Sequence, residues 1–130
     1  MISKDEVISH LKILGVTELS ASDKMLVDLL IDLVVSRICN ACNVSSVPDG
    51  LHAAAVLQVC GEFLSRKKQL GKLEGFDLDS AVKQIQEGDT SITFAIGDGD
   101  TTPEQRIDAL IQWMTHYGDD QLHRYRKLVW

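Results

Sequence analysis

No stretch of this 130-residue chain approaches the roughly 20 apolar residues that a membrane span requires. The opening MISKDEVISHLK lacks the apolar segment of a secretory signal, which gives the expectation of a cytosolic protein. Cysteine is scarce and odd in number: Cys39, Cys42 and Cys60 all fall inside helical patterns, which argues against a disulfide scaffold. Bases are short as well, with 13 Lys and Arg against 19 Asp and Glu and a net charge of −6. Phosphate binding draws most of its affinity from counterion release at basic surfaces, so this balance argues against a nucleic-acid binder. A Gly-rich phosphate loop is also missing, and His10, His52, His116 and His123 are scattered with no spacing that suggests a catalytic arrangement.

The acidity that is present is concentrated. Seven acids (Glu74, Asp77, Asp79, Glu87, Asp89, Asp98 and Asp100) face one base, Lys83, between positions 74 and 100, so this stretch holds the whole net charge. Helical patterns lie on both sides of it. Ser3 with Glu6 reads as a capping box opening a first amphipathic helix through Val7, Ile8, Leu11 and Leu14, which Gly15 stops. A second helix begins near Ser20 or Ser22 and runs to Asn43. Asp28, Asp32, Ser36 and Asn40 form its one narrow polar stripe, and its otherwise apolar circumference predicts cover on several sides, by its own domain or by a neighbouring subunit. Pro48 suits the first position of a third helix reaching Leu70, with small residues Ala53, Ala54 and Ala55 early, Arg66, Lys67 and Lys68 in the last turn, and Gly71 just beyond. Thr102, Pro103 and Gln105 open another, whose face is Ile107, Leu110, Ile111, Met114 and Tyr117. Gly118 interrupts it before a short terminal turn or helix. The expected fold is all-α: one domain over 1–130, a small multihelical bundle with a β-hairpin or extended acidic loop inserted at about 74–101.

In that insertion, VKQIQEGDTSITFAIGDGD, a Gly88-Asp89 turn would pair Ile85 with Ile92 and Lys83 with Phe94. This register places Ile85, Ile92, Phe94 and Ile96 on one face, which needs a partner because an isolated hairpin is marginal in water. The chain's last residues, RYRKLVW, combine Arg124, Tyr125, Arg126 and Trp130, residue types enriched in interface hot spots, so this end either docks onto a partner or packs on the chain's own core. The other motifs favour plain readings. Cys39-Asn-Ala-Cys42 has redox and zinc spacing, and Cys60 with His52 would complete four ligands. Cysteines ending an apolar helix, however, behave as small hydrophobes. Asp98 and Asp100 in GDGD lack the closing Glu of a calcium loop. Neither a metal nor a cofactor is called for, and nothing in the pattern demands an enzyme.

The capped first helix, the long apolar helix, VPDGLHAAAVLQVCGEFLSRK, VKQIQEGDTSITF and the terminal RYRKLVW together resemble the small head-tail connector proteins of tailed bacteriophages and prophages, also called adaptor or head-completion proteins. The EGDTSITF block with the Arg/Tyr-rich end looks like the Gram-positive branch of that family. The resemblance implies a structural virion protein made in the host bacterial cytoplasm and placed at the head-tail interface. Its copies would form a closed ring of about a dozen under the portal protein. The ring would extend the DNA channel and present a platform to a stopper or tail-completion protein. DNA would pass without specific binding, past acids for which Asp89, Asp98 and Asp100 are the candidates. The protein-interaction residues would be Ile85, Gly88, Asp89, Ile92, Phe94, Arg124, Tyr125, Arg126 and Trp130. Alternatives are another morphogenesis component, such as a stopper, or a small cytosolic thiol or metal protein.

Overall fold

The computed structural model of the chain describes residues 2–16, 19–71, 81–83, 85 and 102–126. These residues include the α-helices α1 (Lys4–Ile13), α2 (Ala21–Cys42), α3 (His52–Gln69), α4 (Pro103–Thr115) and α5 (Leu122–Tyr125), helical backbone at 81–83 and 85, and 3-10 turns at Asp49–Leu51 and Asp119–Gln121. The all-α expectation holds, and no described residue is in a strand.

Local chemistry sets the helix ends. Ser20 and Asp23 close a reciprocal capping box on α2, and Thr102 and Gln105 close another on α4, each pair satisfying two N–H groups of the first turn. Asn43 ends α2 in the left-handed region (φ 55°), and Gly71 (φ 70°) follows α3, donating its N–H to Lys68 O. Two starts differ from expectation. Ser3 Oγ does accept the Glu6 N–H at 3.2 Å, but the Glu6 carboxylate turns to His52 of α3, 2.7 and 3.0 Å from Nε2. The expected box at α1 is therefore half made. Pro48 precedes a 3-10 turn, and α3 itself starts only at His52.

Packing centres on α3, which lies against α1, α2 and α4. Ala54, Ala55, Val56, Gln58, Val59, Cys60, Gly61, Phe63 and Leu64 are buried on it, covering most of its circumference. Small residues make this crowding possible. A Cβ on Gly61 would stand 2.7 Å from Met114 Cβ and 2.9 Å from Thr115 N, so α4 crosses α3 with no room for a side chain there. Around it close Val7 and Leu11 from α1, Val27, Leu30, Val34 and Ile38 from α2, and Leu110, Ile111 and Met114 from α4.

Within the chain α3 is the broadly covered helix and α2 buries one face, so the described residues do not supply the cover expected on the other sides of α2. One expectation needs correction. Lys83 and Ile85, read as hairpin positions, have helical backbone. Ala81 is buried, and Val82 and Ile85 pack against the core; positions one and four beyond Ala81 lie near one face of a helix, which a strand's period of two would separate. The remainder of the hairpin, including Gly88, Asp89, Ile92 and Phe94, lies outside the described residues, as do Asp98, Asp100 and Trp130.

Candidate functional site

Two features stand out on α2, one on its outer face and one at its C-terminal end. Val27, Leu30, Val34, Ile38 and Cys42 turn inward, while Met25, Leu29 and Leu33 follow at spacing four on the outside, 73%, 56% and 49% exposed. Ser36 lies seven residues beyond Leu29 and so shares its face, with Asp28 and Asp32 along the border. Large apolar side chains in contiguous exposure mark interaction surfaces more often than isolated ones do. Asp28 reaches Lys4 of α1 at 3.6 Å, an exposed pair worth little to stability.

At the other end, the chain's C-terminal segment folds back onto α2. The Cys42 thiol points at Leu122 O, 3.6 Å away, and α5 packs against α2. Tyr125 is half-buried on the chain's own core, its ring so near the Asp49–Leu51 turn that a Cβ at Gly50 would overlap its hydroxyl. Arg124 and Arg126 on either side of it are exposed. Of the expected terminal docking residues, Tyr125 is thus engaged within the chain and the two arginines face outward.

A buried amide fastens the same region. Gln58 of α3 is 1% exposed, and its Oε1 accepts from Arg37 Nη2 at 2.8 Å while its Nε2 donates to Tyr117 O at 2.6 Å and Asp119 Oδ1 at 3.3 Å. One side chain so ties α2, α3 and the turn that leads into α5. A nearly buried ion pair holds the opposite end: Lys67 Nζ lies 3.0 Å from Asp23 Oδ1. Burial alone would raise the Asp23 carboxyl, but the Ser20 hydrogen bonds and Lys67 outweigh it and hold the group below its ordinary value. Between α3 and α4, Ser65, Lys68, Gln69, Asp108, Ile111 and Gln112 line an open groove of about 330 Å³, with the Lys68–Asp108 ion pair in its wall.

The cysteines divide by environment. Cys39 is half-buried, and Cys42 and Cys60 are buried. Burial pushes the Cys42 thiol up, Cys39 beside it adds to that, and Arg126 opposes. Burial pushes Cys60 up to about 12, and its Sγ faces Val7 O at 4.0 Å. With His52 held by Glu6, the four-ligand set of Cys39, Cys42, His52 and Cys60 does not assemble. Among the described residues no group of three or more His, Cys, Asp or Glu is placed to hold a metal ion, and no helix is long and apolar enough to cross a membrane.

The stripe and Gln58 were both missed in the sequence reading. The signal for the stripe is the polar row of Asp28, Asp32, Ser36 and Asn40: it marks the solvent side of α2, and Met25, Leu29 and Leu33 lie along it. No family model, curated protein or solved structure matches the chain.

Proposed function

We propose that this chain is a structural subunit of a tailed-phage or prophage virion, a head-tail connector that joins copies of itself beneath the portal protein and extends the DNA channel. The observation that carries the reading is the exposed Met25, Leu29 and Leu33 stripe on a helix whose inner face is already packed. A subunit of this kind keeps apolar surface in reserve for a neighbour, and the resemblance of EGDTSITF and RYRKLVW to connector proteins says which kind of neighbour. Arg124 and Arg126, outward on the C-terminal segment, supply charge-assisted contacts to the portal or an adjacent subunit. Ile92, Phe94 and Trp130 remain candidate contacts, and Asp89, Asp98 and Asp100 remain the acids proposed to repel the passing DNA.

The test is made on particles from the phage or prophage that encodes the chain. Mass spectrometry of DNA-filled virions should find the chain, and Leu29→Asp with Leu33→Asp should yield filled heads without tails. The purified double variant should keep its helical circular dichroism and unfold within about 0.5 kcal/mol of the parent, as exposed positions do. Absence of the chain from virions, or undiminished infectious titre when its gene is deleted, overturns the reading.

A further inference from the structure

Cys39 and Cys42 make a C-x-x-C motif that the proposed assembly role does not use, although Cys42 also belongs to the core. They stand three residues apart at the end of α2, where Cys42 is the last helical residue and Asn43 already turns left-handed. The half-buried Cys39 offers an entry point, while the buried Cys42 directs its thiol to Leu122 O, the first residue of α5. Helical geometry sets residues at i and i+3 about 5 Å apart at Cα, inside the span of a disulfide. Their Cβ atoms, however, are about 5–6 Å apart in a regular helix against the ~3.8 Å a disulfide prefers. A bond between them therefore needs the last turn to tighten, a turn in which the Cys39 carbonyl accepts from both the Asn43 and Val44 N–H groups.

We propose that Cys39 and Cys42 form a thiol-disulfide pair that holds the C-terminal segment when reduced and releases it when oxidised by a small-molecule disulfide of the glutathione class. The Cys39 sulfur, having lost its proton, attacks the reagent disulfide, forming a mixed disulfide and expelling one thiolate, which takes up a proton. The Cys42 sulfur then gives up its proton and attacks the Cys39 sulfur, closing the intrachain bond and expelling the second reagent thiol. Two protein thiols are oxidised and one reagent disulfide is reduced to two thiols. Drawing Cys42 toward Cys39 takes its Sγ from Leu122 O and from its buried seat, so α5 loses one of its holds and is left with Tyr125 at Gly50 and the Gln58 hydrogen bonds just before it. Cys60, enclosed between α3 and α1, takes no part. This inference stands apart from the assembly reading and is tested without it.

The full chain is equilibrated in glutathione buffers from reducing to oxidising, and the products are read by mass and by limited trypsin cleavage after Arg124. Oxidation is expected to remove two hydrogens with no adduct, map the bond to Cys39 and Cys42, leave Cys60 reduced and speed cleavage after Arg124 at least about tenfold, the loss of one decade of local protection. Cys39→Ser, at a half-exposed site, should keep the slow cleavage in every buffer. The proposal is overturned if both thiols stay reduced in the most oxidising buffer. A reaction that stops at a glutathione adduct or links two chains, or an intrachain bond that leaves the cleavage rate unchanged, overturns it equally.

Discussion

Asp23 does two things with one carboxylate while only 14% exposed: it caps α2 through the Ser20 N–H and receives Lys67 from α3. Removing one member of such a pair leaves the other charge poorly solvated, so the pair matters more for what its loss costs than for its net attraction. The Asp23 pKa is lower in the folded chain than its ordinary 3.8, so the folded form favours the carboxylate. The stabilisation is then fully present above the unfolded value and is lost as pH falls through the lower folded one. Urea unfolding should show Asp23→Asn weaker than the parent at pH 6, with the gap narrowing below pH 3.8. A gap that stays constant to pH 2 would contradict the sign of the shift. Gln58 is the neutral counterpart at the other end of α3, where three polar partners justify an amide inside an apolar helix.

Between elements, the decisive contact is α3 against α4. An exposed mid-helix Gly→Ala change gains up to about 1 kcal/mol in helix preference. At Gly61 the added methyl would press on Met114 Cβ and on the backbone of Thr115, and backbone does not step aside as a side-chain tip does. Gly61→Ala should therefore destabilise by about 1–3 kcal/mol, the usual cost of overpacking, read as a lower urea midpoint. A raised midpoint would show that α4 shifts without penalty. Helix boundaries at this scale were legible because caps are local: Ser20, Asn43, Gly71 and Thr102 act within a few residues of themselves. The half-made box at Ser3 was not, since the residue that draws Glu6 away, His52, is 46 positions along the chain. Lys83 and Ile85 were misread for a related reason. Their stretch alternates well enough for a strand, and only packing of Ala81, Val82 and Ile85 on the core selects the helical period.

For the whole molecule, charge and shape separate. The net −6 lies within positions 74–100, and the remaining acids and bases balance, so there is no basic excess to drive counterion release. The purified chain should leave duplex DNA unshifted in a gel at moderate salt and submicromolar protein, and a salt-sensitive shift would count against a channel wall that lets DNA slide. Its shape is a helix, α3, wrapped by three others, with one side of α2 left uncovered. The candidate site was legible only in part. Arg124 and Arg126 are outward as a docking role requires, yet Tyr125 is taken up at Gly50, and the stripe of α2 was hidden in a helix that reads as apolar nearly all round.

Composition, period and capping residues suffice for the class of fold and for where α2 and α4 begin, because each depends on interactions spanning a turn or two of chain; the start of α3, at His52 and not at Pro48, is not among them. Which helix stands at the centre is a different kind of question. Both α2 and α3 have enough apolar residues to be buried, but Gly61 and Ala54 let neighbours approach α3 closely, while Met25, Leu29 and Leu33 on α2 stay about half or more exposed. Burial belongs to the pair of surfaces that meet, so it is decided only when the helices pack.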